Sequence, residues 1–276
     1  MKKIFLSVVA LAAVTTLAAQ DLTILHLNDT HSHIEPERMG DISGHGGIIE
    51  QAAYISEVRE EMGRKNVLLL HAGDFSQGTS YFTELRGQIE IDNLNAIGYD
   101  VVTLGNHEFD NGMEALSDRL KQLDCPVVCA NYDFTGTPLE DVVKPYAIVK
   151  KAGKKIGVIG ILTDVSTVVD KSINQGLVYM DPIPITQKYV DYLRNKKKCD
   201  LIICLTHLGD KGSKAKGVAI DQTLVAGTTG VDVVVGGHAH TELDEMQVWK
   251  NAAGEDVIYV TDGGWGLEVG RLDVTF

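Results

Sequence analysis

Seven continuous apolar runs mark the chain: LTILHL (22–27), NVLLLHAG (66–73), DVVTLG (100–105), PVVCAN (126–131), KIGVIGIL (155–162), LIICLTH (201–207) and VDVVVGG (231–237). They do not alternate with polar residues, which predicts strands buried on both faces. Between them lie stretches with helical spacing, at about 48–62, 88–97, 112–122, 184–197 and 219–226. In the third of these, Met113, Leu116 and Leu120 fall on one face. Near the end, VIYVTDGG and LEVGRLDVTF read as further strands. Strands that alternate with helices predict an α/β sandwich with mixed sheets. No repeat, low-complexity tract or linker interrupts the pattern, so 21–276 reads as one domain.

The first twenty residues follow a different pattern. Lys2 and Lys3 precede the apolar run IFLSVVALAAV and the small-residue stretch TTLAAQ, the layout of an export signal, with cleavage expected near Ala18 or Ala19. The run is short for a bilayer span. The expectation is therefore a signal peptide over 1–19 and a periplasmic or secreted protein, with no membrane attachment once the signal is removed. The formal charge is −13, or −15 without Lys2 and Lys3. Such a balance excludes attraction of a nucleic-acid polymer or an anionic membrane by the overall field. It would also repel a phosphate substrate unless bound cations reverse the local sign. The four cysteines, Cys125, Cys129, Cys199 and Cys204, have spacings that match no zinc ribbon. Cys129 and Cys204 fall in strand-like runs and are expected as buried thiols. An exported setting permits disulfides, but the spacings fix no pairing.

Candidate chemistry collects at the ends of the apolar runs. Asn28, Asp29 and His31 follow the first, and His71 and Asp74 close the second. The third leads into Asn106, His107, Glu108 and Asp110, and the last two into His207 and into His238 and His240. In open α/β sheets, ligands bind outside the carboxyl ends of the strands, which lie along one edge. Residues far apart in sequence would then meet in one crevice. Carboxylate oxygen, imidazole nitrogen and amide oxygen together suit borderline divalent metals such as Zn, Mn, Fe or Co. A carboxylate that bridges two such ions is the arrangement used to activate water against phosphate esters. Of the other histidines, His26 lies inside a run and is expected in the core. His71 and His33 are candidates for supporting the ligands, and His45, in the Gly-rich DISGHGG, is expected in solvent. That segment lacks the Lys-Ser/Thr ending of a phosphate-cradling loop.

The motifs LNDTH, HAGD, GNHEFD, THLG and GGHAH, in this order, resemble the calcineurin-like metallophosphoesterases. More narrowly, GYDVVTLGNHEFDNG and VTDGGWGLEVGRLDV are similar to the N-terminal catalytic domain of the 5'-nucleotidase / 2',3'-cyclic nucleotide phosphodiesterase family, over about residues 21–276. The resemblance implies a four-layer α/β/β/α sandwich and two divalent metal ions. Asp29, His31 and His240 would hold the first, Asn106, His207 and His238 the second, and Asp74 would bridge them. His107 would be a catalytic imidazole outside the ligand set, oriented by Asp110, while Glu108 would be structural. The implied reaction is hydrolysis of nucleotides or related phosphate esters by attack of a metal-bridging hydroxide on phosphorus. A cyclic-nucleotide phosphodiesterase or a nucleotide-sugar hydrolase is the alternative. A non-catalytic metal-binding module fits less well, because it would not need the His107–Asp110 pair. The family's nucleoside-binding second domain is not recognisable in this sequence, so a separately encoded one is an expected partner. Trp265, in GGWG, is expected near the metal edge.

Overall fold

The computed structural model describes residues 21–170, 176–210 and 219–276. The expected signal over 1–19 lies outside the described residues. The chain opens with β1 (Leu22–Leu27), α1 (Ile48–Met62), β2 (Val67–His71), α2 (Ser80–Leu85), α3 (Gln88–Ile97), β3 (Val101–Thr103) and α4 (Met113–Leu120). Five strands follow: β4 (Val127–Val128), β5 (Tyr132–Asp133), β6 (Val143–Lys144), β7 (Tyr146–Lys151) and β8 (Lys154–Leu162). The second half contains β9 (Val178–Tyr179), α5 (Pro182–Tyr192), β10 (Leu201–His207), α6 (Asp221–Gly227), β11 (Val233–Val235), β12 (Gln247–Lys250), β13 (Asp256–Val260) and β14 (Gly270–Val274).

The strands form two six-stranded mixed sheets, ordered β14-β1-β2-β3-β4-β6 and β12-β13-β11-β10-β8-β7, and a small β5-β9 ribbon. Neighbours from β1 to β6 run parallel in the first sheet, and β14 closes it antiparallel to β1. In the second, β13, β11, β10 and β8 are parallel, with antiparallel β12 and β7 at the edges.

The uninterrupted apolar runs are explained by this layering. Successive side chains of a strand point to opposite faces, so each central strand serves two cores. Leu22, Ile24, Leu68 and Leu70 of the first sheet meet Val158, Ile203 and Leu205 of the second between the sheets. Leu25 and Leu69 face the other way, against Ile55, Ile91, Leu94 and Leu116 from α1, α3 and α4. Ile202 and Cys204 pack outward on Val190 and Leu224 from α5 and α6. The result is the expected four-layer α/β/β/α sandwich. Met113, Leu116 and Leu120 form the buried face of α4 as their spacing predicts. Asp181 accepts from the Ile183 amide at the start of α5, and Pro182 occupies its first turn, where a missing N–H costs nothing. The stretch expected as one helix over 184–197 ends instead in a π turn, Leu193–Lys197. All four cysteines are free thiols, with Cys129 and Cys204 buried.

The sheets touch backbone to backbone at one corner. The Ala130 amide donates to the Gly160 carbonyl at 2.7 Å. A Cβ on Gly160 would lie 2.1 Å from the Val128 carbonyl oxygen and 2.8 Å from Thr103 Oγ1. Gly160→Ala should therefore destabilise the fold by about 3 kcal/mol or more through overpacking against main chain. A urea-unfolding midpoint equal to that of the parent would show that the corner can open.

Candidate metal centre

The ends of β1, β2 and β3 in one sheet and of β10 and β11 in the other lie at the same edge of the sandwich. The loops that leave them turn sharply. Asp29, His31, Asp74, His238 and His240 all have positive φ, at 48°, 47°, 53°, 76° and 50°. Left-handed backbone is uncommon for residues other than glycine and costs about 1–2 kcal/mol each. Its concentration in the very residues that carry the donors marks a site where geometry is held against local preference.

Those donors converge into two groups, Asp29, His31 and His240 on one side and Asp74, His207 and His238 on the other, with donor atoms within 4.8 Å of one another in each. The Asp74 carboxylate stands between them: its Oδ2 is 3.0 Å from His207 Nε2 and 3.9 Å from His31 Nε2. Two imidazoles have their tautomers fixed from behind. His207 Nδ1 donates to the Ala72 carbonyl at 2.7 Å, and His31 Nδ1 to the carbonyls of Ser76 and Gln77 at 3.3 and 3.2 Å. Each thus turns its Nε2 toward the carboxylates, the usual preparation of a metal-binding histidine. Asp29 Oδ1, Asn106 Oδ1 and His207 Nε2 are buried without a hydrogen-bond partner. Although His207 Nε2 is close to Asp74, the geometry is not that of a hydrogen bond. Buried polar atoms are rarely left unsatisfied, and Asp29 and His207 belong to the two converging groups, where a cation would satisfy them. Oxygen and imidazole donors in this arrangement fit divalent metals.

The electrostatics are those of a cation site. Burial alone would raise the Asp29 and Asp74 carboxyls, yet the surrounding histidines hold both below the usual carboxylate range. Burial in turn opposes a charge on His207, but Asp74 and Asp29 outweigh it and push it up to about 10. Burial and the neighbouring His207 bring His238 down to about 4.

His107 stands beside these groups without joining either. Its Nδ1 is 2.8 Å from Asp110 Oδ2, and that bond raises its pKa. Its side chain is about one-third exposed, at 33%, so it can reach a ligand that enters from solvent. Its backbone amide donates to Asp74 Oδ1 at 2.8 Å, which fastens the loop of β3 to the ligand of β2.

Glu108 ties these loops together. Buried behind them, it accepts from the amides of Asp74 at 2.9 Å, Ser76 at 3.0 Å and Gly105 at 2.5 Å. Burial and the charge of Asp74 push its carboxyl up to about 7, while the Gly105 and Ser76 amides pull it down. Asn28 performs a similar task for β1, a role the sequence reading did not assign. It donates to Asp29 Oδ2 and to the Gly263 carbonyl, both at 2.7 Å, and accepts from the Asp262 amide at 2.9 Å. Its place beside Asp29 was the available signal. His71 is buried, with Nε2 3.1 Å from Thr30 Oγ1. It supports the β1 loop, as its position suggested. His26 is buried and lies 3.0 Å from Asp262. His45 is exposed. His33 stacks on Trp265, with ring centroids 5.2 Å apart, and the Trp265 amide donates to the Asp29 carbonyl at 2.6 Å.

Known proteins share this architecture. The calcineurin-like phosphoesterase family matches residues 22–242. A probable 5'-nucleotidase of Treponema pallidum is 34% identical in an alignment 281 residues long that covers 93% of this chain and 45% of that protein. The 5'-nucleotidase of Bos taurus is 36% identical in an alignment 251 residues long that covers 86% of this chain and 42% of the relative. The solved 5'-nucleotidase precursor from Thermus thermophilus superposes with a TM-score of 0.82 at 35% identity, over 93% of this chain and 51% of its own. The chain thus spans about half the length of these relatives.

Glu108→Gln replaces one acceptor oxygen with a donor that faces backbone N–H groups. We expect a loss of about 2 kcal/mol in urea unfolding. Unchanged stability would mean that the three amides find other acceptors.

Proposed function

The chain belongs to the calcineurin-like phosphoesterase family, and from that premise we propose that it is an exported hydrolase of nucleotides or closely related phosphate esters. It is a metal-dependent phosphoester hydrolase. The observation that carries the finer reading is the pairing of two converging donor groups with a partly exposed histidine that is held by its own carboxylate. A binding module has no use for the latter. The similar 5'-nucleotidases supply the substrate class.

In this reading Asp29, His31 and His240 would hold one ion, Asn106, His207 and His238 would hold the other, and Asp74 would serve both. When bound, the two ions would supply Lewis acidity toward phosphoryl oxygens, a lowered pKa for water and the positive charge that an acidic chain needs near an anionic ester. The protein's own contribution is alignment. The carbonyls behind His31 and His207 fix which ring nitrogen faces inward. Asn106 offers a neutral oxygen, which leaves its ion more electrophilic than a carboxylate would. Asp110 accepts from His107 Nδ1 and favours the protonated ring, so that Nε2–H can donate to a phosphoryl oxygen and stabilise developing charge. The same proton can pass to the departing oxygen.

Reconstitution with Mn or Zn, followed by assay of AMP, a 2',3'-cyclic nucleotide and an aryl phosphate, tests the proposal. His107→Ala should lower kcat by about 10²–10⁴-fold while metal content stays near that of the parent. Full metal loading without turnover on any of the three esters would sink the nucleotidase reading. A preference for the cyclic ester would move the assignment to a phosphodiesterase.

Metal loading should also stabilise the fold. At a metal concentration about 100 times Kd, the gain is about 2.7 kcal/mol, read as a rise in Tm that a chelator reverses. In the paired variant Asp74→Asn/His207→Ala, that rise should disappear.

A further inference from the structure

Charge is distributed against the average at the end of the sandwich opposite the donor cluster. Two runs, KKAGKK (150–155) and RNKKK (194–198), place eight of the chain's 25 Lys and Arg within eleven residues. The first forms the turn from β7 to β8 and the second the π turn after α5. They are neighbours in space: Lys155 Nζ donates to the Lys197 carbonyl, and the Lys155 amide donates to Asp200 Oδ2 at 2.7 Å. The Ala152 amide donates to the Lys65 carbonyl at 2.9 Å, which brings Arg64 and Lys65 alongside.

The acids at this end neutralise a minority of these cations. Asp100 pairs with Lys151 at 2.8 Å, and Asp232 pairs with Arg194. Asp200 accepts from a backbone amide, and Asp191 accepts from Gln187. Among the described residues, Lys150, Lys154, Lys196, Lys197 and Lys198 have no carboxylate at ion-pair distance. Aromatic rings interleave with the ammonium groups. Lys197 Nζ is 5.4 Å from the Tyr192 ring centroid, Lys188 Nζ is 5.0 Å from Tyr189 and Lys154 Nζ is 4.4 Å from Phe276. Tyr146 packs against both Tyr189 and Tyr192. Tyr192 and Phe276 remain 37% and 40% exposed.

A solvated lysine run is ordinary. A cluster of unneutralised lysines threaded with half-exposed tyrosine and phenylalanine, on a chain of net charge −13, is a local reversal of sign with an apolar component. We propose that this basic pole docks on an anionic phospholipid surface, with the lysines over the lipid phosphates and the rings at headgroup depth. Nucleic acid fits less well, because base stacking needs open ring faces and here the ammonium groups lie over them. The net charge excludes attraction by the molecule as a whole, and the same charge makes docking directional. Strands β8 and β10 begin at this pole, and β10 ends at His207. A docked protein therefore holds its donor cluster away from the lipid, toward solvent.

The test is co-sedimentation of the full chain with phosphatidylcholine vesicles, with and without phosphatidylglycerol. The parent should bind the anionic vesicles and release them at high salt. The triple variant K196Q/K197Q/K198Q should bind on the order of 100-fold more weakly, with an unchanged circular-dichroism spectrum. The variant K150Q/K154Q, on the other run, should weaken binding independently. Equal binding of parent and variants overturns the proposal. So does equal binding to pure phosphatidylcholine, which would assign the interaction to the apolar first twenty residues that all the proteins share. Failure to bind anionic vesicles, with or without retention of duplex DNA, also overturns it.

Discussion

Two carboxylates, Asp29 and Asp74, are buried side by side at the edge where the sheets meet, at 0% and 2% exposure. Taking charges out of water costs several kcal/mol per ion unless partners replace the lost hydration, and much of the surrounding structure supplies that replacement. The backbone amides of His107 and His238 are aimed at the two side chains. Asn28 grips one, and His207 lies within 4 Å of both. Even the left-handed turns follow, because they let a loop double back after a strand and present both a side chain and an amide to the same point. Of the histidines, His207 is pushed up to about 10 by the two carboxylates and carries compensating charge itself.

Much of this was legible in the sequence. The continuous apolar runs gave the buried strands, because a strand sandwiched between two cores has no polar face. The donors at the ends of five runs marked the candidate site, because parallel strands deliver their carboxyl ends to one edge. The separation into two sheets was not legible from periodicity, since a run buried between sheet and helix looks like one buried between sheet and sheet. That layering entered through family resemblance. Strands β7 and β12 escaped notice for the opposite reason. Both are edge strands with half-exposed side chains, and neither forms a continuous apolar run. Helix α2, six residues long, has no buried residue to give it a stripe.

The site shows the same division. Asp29, His31, Asp74, His207, His238 and His240 were identifiable by type and position, and they do converge. The work of Asn28 and of the carbonyls of Ala72, Ser76 and Gln77 was not, since a main-chain acceptor leaves no mark on the residue type. The basic pole was hidden by summation. A single net charge conceals two lysine runs some forty residues apart, which only the pairing of β8 with β10 brings together.

The glycine corner between the sheets bears on how this protein can change over generations. Donors on β1, β2 and β3 belong to one sheet and those on β10 and β11 to the other, so the distance between the two halves of the ligand set is the distance between the sheets. At Gly160 that distance is set by main-chain atoms in contact. Core side chains can drift in size on either outer face, and loops around the mouth can be rebuilt, without moving one half of the donor set relative to the other. The outer layers and the mouth are thereby free to diversify while the spacing of the donors stays fixed.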